Sequence, residues 1–406
     1  MKLLFCLILL INSSALADFS EQGSFKFESR TFVDDKNPDT FDNNLALAVD
    51  MEFKYEKSFQ QHKFQFFTRN DTKDSTRNIS YLKDAYLGLN FNNVEVLAGY
   101  QIFNWSTTEA FHPVDVINSR NYDSDTESIE RMGLPALTIT YLFDTGSVSL
   151  INYTDVIVPY FPGSSNRLNF LGGALQLGTP LVLKKDETIS DSLKAPQIAL
   201  KFDKSFDSSD LSITYLDHID TTQPSFVLSG LSLLPVFIQK NQIGVTYQYA
   251  INDSLIKVEA AHKDFKNDIT TAYGTNNQLD HSDIAVGFEY SYNHKKGPTS
   301  TFIIEYDKLL GQPKEESLQL SIFENDILLG YRLAINDIKS KELFIGLIND
   351  LYLTESITSF SYSQRLTDVW KINFSFRGTH SPTSANTLLN SSHGNIQTNL
   401  NITRYF

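Results

Sequence analysis

Eight histidines are scattered through the 406 residues, and three short stretches set one beside the carboxylates or hydroxyls that nucleophilic chemistry needs. They are LDHID (Asp217, His218, Asp220), LDHSD (Asp280, His281, Ser282, Asp283) and GTHSP (His380, Ser381). A base must reach its nucleophile while a third group orients it, and adjacent residues on a strand point to opposite faces. These stretches are therefore expected to be polar strand ends and loops, and the chain is not read as an enzyme.

The segment NYDSDTESIE offers Asp123, Asp125, Glu127 and Glu130, oxygen donors of the kind calcium takes. The glycine that an EF-hand loop needs is missing, so a solvated acidic loop is expected and no metal site is assigned. A P-loop, a dinucleotide fingerprint and zinc spacing are all absent from the sequence, and no cofactor is implied.

The elements that would carry these residues read as strands. In NNLALAVDMEFKYEK the residues Leu45, Leu47, Val49, Met51, Phe53 and Tyr55 share one face, opposite Ala46, Ala48, Asp50, Glu52 and Lys54. The same dyad recurs in NVEVLAGYQIF, LPALTITYLF, NQIGVTYQYAI, SDIAVGFEYSY, ILLGYRLAI, VWKINFSF and the terminal NIQTNLNITRYF. Each run has the length, about ten residues, that a tilted strand needs to cross a bilayer.

Short connections alternate with longer polar ones near 32–42, 70–79, 104–133, 157–194, 220–240, 266–281, 309–326 and 379–394. That alternation is an up-and-down topology, and its parity predicts about eighteen strands, with about 16 to 20 allowed. Two strand-like segments, SFVLSGLSLLPVFIQ (225–239) and ESLQLSIFEN (316–325), are expected in long loops, because counting either one alone as a span breaks the parity. Since an open sheet edge cannot sit in hydrocarbon, the strands must close into an antiparallel transmembrane β-barrel.

The first 17 residues, with Lys2, an apolar run and Ala15-Leu16-Ala17, read as a cleaved signal peptide, and residues 18–406 as the barrel. Cys6, the only cysteine, falls in that leader, so the barrel must hold together without disulfides. The formal net charge of −14 argues against nucleic acid as a partner.

On the wet face lie charges of both signs: Asp50, Glu52, Lys54, Arg69, Asp84, Glu95, Lys201, Asp203, Glu305, Arg332, Lys371 and Arg377, with Lys257, Glu259 and Glu289. A water-filled lumen takes such charges and selects solutes through them. The long connection 104–133, with Trp105, Glu109, His112, Asp115 and Arg120, is expected to fold inward and narrow the passage.

That stretch also carries a resemblance. GYQIFNW, followed by Glu109, HPVDVINSRNYD and ERMGLPAL, resembles a segment of proteobacterial outer-membrane barrels similar to alginate-export-type porins; ENDILLGYRLAINDIKSKELFIGLINDL resembles their C-terminal half. Ser106, His112 and Ser119 depart from the family pattern. The terminal Phe406, with Ile402 and Leu400, resembles the signature that the barrel assembly machinery reads in Gram-negative outer-membrane proteins; Arg404 departs from it. The resemblance implies a porin-like channel in the outer membrane, passing small hydrophilic solutes passively, in contact with outer-membrane lipid and lipopolysaccharide, with homotrimeric association as a further expectation. The competing readings are a non-conducting barrel whose loops bind a surface partner, and an outer-membrane hydrolase.

Overall fold

Period-two alternation over ten or more residues turns one side of each strand to lipid and the other inward. The computed structural model describes residues 19–33, 40–124, 129–169, 176–230, 232–265, 270–271, 274–275, 278–295, 297–382, 387 and 389–406. The expected leader, 1–17, lies outside the described residues, as do Asp125 and Glu127. The spanning strands are β1 (Phe19–Val33), β2 (Asn43–Lys57), β3 (Gln60–Asp71), β4 (Ile79–Phe91), β5 (Val94–Gln101) and β6 (Leu134–Phe143). They continue as β7 (Gly146–Asp155), β8 (Lys194–Ser205), β9 (Ser209–Ser229), β10 (Ser232–Ile251), β11 (Ser254–Phe265) and β12 (His281–Asn293). The last six are β13 (Thr299–Leu310), β14 (Asn325–Ala334), β15 (Glu342–Asp350), β16 (Ser356–Arg365), β17 (Trp370–His380) and β18 (Ile396–Tyr405).

Each strand pairs antiparallel with the next, and β1 pairs with β18 through Phe27 opposite Ile402, closing a barrel of 18 strands. Leu45 and Leu47 are exposed on the outer face while Ala46 and Ala48 are buried on the inner one, and Leu87, Ile139, Ile243, Phe302 and Leu329 continue the outer apolar band. Among the described residues no helix is long and apolar enough to cross a membrane.

The seam is sealed by the last residue. Phe406 exchanges two backbone hydrogen bonds with Gly23, both 3.1 Å, and its ring lies 5.2 Å from that of Phe25. A Cβ on Gly23 would fall 2.6 Å from the Phe406 ring. We therefore expect Gly23→Val to displace Phe406 and destabilise the barrel by about 1–3 kcal/mol, the usual cost of overpacking, read as a lower temperature for loss of the fast-migrating band of unheated samples on a denaturing gel.

Of the two strand-like segments expected in long loops, 316–325 stays in its connection and 225–239 differs. The stretch 225–239 is strand rather than loop: β9 and β10 run on past the barrel as one hairpin, with Phe226 opposite Pro235 and Gly230 at φ +62° in its turn. Proline is tolerated there because β11 stops at Phe265, opposite Lys240, leaving an edge. That edge is covered in parallel by Leu181–Leu183, paired with Val236, Phe237 and Ile238. The parity survives because the hairpin lengthens two existing strands. The stretch 316–325 holds a short helix, Lys314–Leu320, before β14 begins. Pro313 starts it, and Glu315 and Glu316 favour its first turn.

Candidate functional site

The interior is divided between a covered half and a bare half. The connection between β5 and β6, residues 102–133, folds into the barrel and lies along the inner wall. Its apolar residues Trp105, Val114, Val116 and Ile117 pack with Leu134 and Ala136 of β6, Ile151 and Tyr153 of β7, Ala199 of β8, Leu216 of β9 and Ala261 of β11. Val114 also closes on Gly244 of β10. Phe111 reaches Ala285, Ile303 and Leu328 on β12, β13 and β14. Every strand from β6 to β14 thus contributes a small or apolar inward residue.

Buried carboxylates tie the tip down. Glu259, with no exposed surface, accepts from the backbone N–H groups of Thr107 and Thr108 at 2.5 and 2.9 Å and from the Ser106 and Thr108 hydroxyls at 2.8 and 2.7 Å. Glu305 accepts from the N–H groups of Glu109 and Ala110 at 2.5 and 2.8 Å. Gln242 donates to the carbonyls of Pro113 and Val114. Such charge-assisted bonds are about twice as strong as neutral ones.

The expected constriction residues divide by burial. Trp105 and Asp115 are buried in the connection. Asp115 accepts from the Trp105 N–H and from Arg120 and Arg131 at 2.7 and 2.5 Å; burial would raise its carboxyl, but the two guanidinium groups hold it below the usual carboxylate range. Glu109 projects into the lumen and pairs with Arg332 of β14, whose guanidinium lies 5.6 Å from the Phe344 ring. His112 lies 2.5 Å from the Ser106 hydroxyl, a serine–histidine pair with no signal in the spacing. Because that hydroxyl gives its proton to Glu259, His112 Nδ1 must donate to it, and burial holds the ring below its ordinary pKa. The pair positions the tip rather than generating a nucleophile.

The bare half, β15 to β18 and β1 to β5, carries most of the expected lumen charges. Asp50 meets Lys83 at 2.5 Å, and Lys63 bridges Glu52 and Asp84 at 2.9 and 2.8 Å. A bulge in β4 opposite Gln65 and Phe66 lets both Lys83 and Asp84 face inward. Glu95 accepts from Gln61 and Lys54 meets Glu56, whereas the Lys201–Asp203 pair lies on β8, in the other half. Lys371 and Arg377 share the inward side of β17, beside Ser363, Ser361 and Ser359 of β16. A cavity of about 160 Å³ is lined by Ser24, Lys26, Asp50, Glu130, Thr403 and Tyr405 among others.

Three of the expected lumen charges, Glu259, Glu305 and Arg69, are sealed from water. Glu305 lies under the loop tip, and Arg69 belongs to a buried cluster in which Asp123 binds Arg30, Arg69 and Arg77 at 2.6, 3.0 and 2.9 Å. Burial raises the Asp123 carboxyl, but the three guanidinium groups outweigh it and hold it below its ordinary value. Arg30 and Arg77 had no signal in the sequence, since 93 and 46 residues separate them from Asp123. Exposure follows depth: Lys54 and Glu56 near the short turns are 39% and 56% exposed, whereas this cluster at the long-loop end is at most 5%.

Among the described residues, none of the three histidine stretches brings a hydroxyl onto its own histidine ring. His218 is buried and its Nε2 has no partner among the described residues, the His281 ring meets the Leu279 carbonyl, and Ser381 donates to Glu355. Ser282 meets His262 instead, on the outer face.

No family model matches the sequence and no curated protein does, so the likeness to alginate-export-type porins rests on the motif residues alone. Solved structures do match. The outer-membrane porin OccK5 (OpdH) of Pseudomonas aeruginosa is 10% identical at a TM-score of 0.58, over 97% of this chain and 99% of that one. OccAB2 of Acinetobacter baumannii is 9% identical at 0.55, over 97% and 99%. Wzi of Escherichia coli, an outer-membrane protein of group 1 capsule assembly described as a carbohydrate-binding β-barrel, is 10% identical at 0.53, over 96% and 85%. At these identities the likeness is one of fold.

Proposed function

We propose that the chain is a porin-like channel of the outer membrane that passes small hydrophilic solutes passively through the bare half of its lumen. One observation carries the reading: the 102–133 connection covers the wall from β6 to β14, while the charged wall opposite, with Asp50 26% and Lys63 21% exposed, remains in contact with water. The Glu109–Arg332 pair, both partners near 30% exposed, is the narrowing element, and Asp50, Glu52, Lys63, Asp84, Lys371 and Arg377 line the passage. The apolar band contacts lipid and lipopolysaccharide, Phe406 serves assembly, and homotrimeric association belongs to the same reading.

Single-channel recording in planar bilayers tests it. Steady ohmic steps are expected, and Glu109→Gln should lower the cation-to-anion permeability ratio by about sixfold, since a unit charge ~8 Å from a permeating ion in water is worth roughly 0.5 kcal/mol, with opposite signs for cation and anion. Arg332→Gln should shift it the other way. A folded barrel that never conducts would overturn the reading.

The buried outer layer favours a second reading, a non-conducting barrel whose loops hold a surface partner; Wzi, a carbohydrate-binding β-barrel, is similar in fold. Binding of a surface polysaccharide without conductance would select it.

A further inference from the structure

Three aspartates face one another across the sheet at the long-loop end. Asp307 of β13 stands directly opposite Asp326 of β14, and Asp326 directly opposite Asp350 of β15. All three are buried, at 4%, 3% and 4% exposure. Like charges in directly opposed positions destabilise a sheet, and burial compounds the cost. Glu324, immediately before β14, and Glu355, between β15 and β16, extend the row, and both are buried.

Compensation is sparse. On the β12 side Asp283 is taken by Lys263 of β11 at 2.6 Å, with His281 beside it. Lys308 of β13 and Lys314 of the short helix turn to Tyr352, the first over its ring at 4.0 Å and the second on its carbonyl at 3.1 Å. The Tyr306 hydroxyl donates to Asn325. The row itself receives backbone donors: Asp326 from the N–H groups of Glu324 and Asn325, Asp350 from those of Tyr352 and Leu353. Glu355 accepts from Ser381 and Thr387. Two buried oxygens, Glu324 Oε1 and Asp350 Oδ2, have no hydrogen-bond partner among the described residues. A carboxyl proton would supply the missing donor, and removing charge would relieve the opposed pairs.

The row also lies where the outer connections dock. The Leu309 N–H donates to the Glu324 carbonyl, the Asp350 N–H to the Glu355 carbonyl, and the Leu351 N–H to the Asn325 carbonyl. Ser381 and Thr387, on the connection between β17 and β18, close on Glu355.

We propose that this row is a proton-binding site, holding protons while the outer connections are docked and releasing those connections from the barrel mouth when it ionises. Burial, then Asp350 and Asp326, push the Glu324 carboxyl up to about 8. With the connections released and Glu324 in water, its carboxyl returns to the ordinary range. The docked state therefore binds more protons between about 4.5 and about 8; docking is strongest below that window and weakens as pH rises through it, about tenfold per unit for each titrating group.

The experiment uses the refolded barrel in detergent micelles, with two readouts that do not require conductance. Infrared titration should show protonated carboxyl absorption at pH 7 that bleaches on going to pH 9 and is reduced in Asp326→Asn. Proteolysis within 311–324 and 389–395 should run at least about tenfold faster at pH 9 than at pH 6. In Asp326→Asn, whose side chain stays neutral, the connections should remain protected at pH 9; Asp307→Asn serves as the second variant if the first does not refold. Proteolysis that is independent of pH in the wild-type barrel, or no protonated carboxyl at pH 7, would overturn the proposal, as would protection at pH 9 by Ca²⁺ with no infrared signal at any neutral pH. A barrel that never conducts but passes both readouts leaves the proton site standing and removes only the channel reading.

Discussion

Asp123→Ala is expected to cost the barrel about 3–5 kcal/mol, the penalty for leaving a buried charge without its partner. Among the described residues Asp123 is the one carboxylate that touches Arg30, Arg69 and Arg77 together, and it also accepts from Asn166. Without it, Asp71 and Glu28 remain, both on Arg77, so Arg30 and Arg69 lose the carboxylate that neutralises them. The measurement is guanidinium unfolding in micelles, followed by the gel-shift temperature of unheated samples. Asp123→Asn should fall between, because it keeps polar contacts but not charge. A loss below about 1 kcal/mol would mean that the cluster is hydrated and does not act as a clamp.

The second large effect is expected from Glu259→Ala combined with Glu305→Ala. The pair accepts four backbone N–H bonds from residues 107 to 110, and each charged hydrogen bond is worth about 1.5–3 kcal/mol. Even with heavy non-additivity, the tip should lose enough anchoring to leave the wall while the barrel, held by its own ladders, stays closed. Unitary conductance should then become noisier and change in size, with Glu109 freed from its fixed place opposite Arg332. Unchanged conductance in a folded double variant would show that this connection does not set the passage.

Where the fold was legible, it was legible because alternation is local. Leu45 and Ala46 declare their faces to each other within two residues, and the parity of long and short connections requires only counting. The same logic failed at 225–239, where the alternation of a strand is identical whether it crosses a membrane or extends above it; only the stopping point of β11 at Phe265 separates the two. It held at 316–325, which stays in the connection before β14, where Pro313 and the acidic first turn start a short helix.

The site was less legible. Glu109, Asp115 and Arg120 could be singled out from composition, but Glu259 and Glu305 looked like any other wet-face carboxylates. Their role depends on meeting backbone N–H groups roughly 150 and 195 residues away, and a hydrogen-bond donor in the main chain has no signature in sequence. The inward alanines, glycines and leucines of β6 to β14 did hint that something covers that wall, since an open lumen has no use for them.

What the sequence by itself determined is the barrel: strands of one period, connections of two lengths, and an apolar face that water cannot keep. What only the tertiary structure decided is the interior, namely which half is covered, which charges are sealed, and that Asp307, Asp326 and Asp350 stand in one row. Faces follow from the chemistry of neighbours along the chain, whereas register and the path of a long connection are set by contacts between residues far apart in it, which closure of the barrel alone brings together.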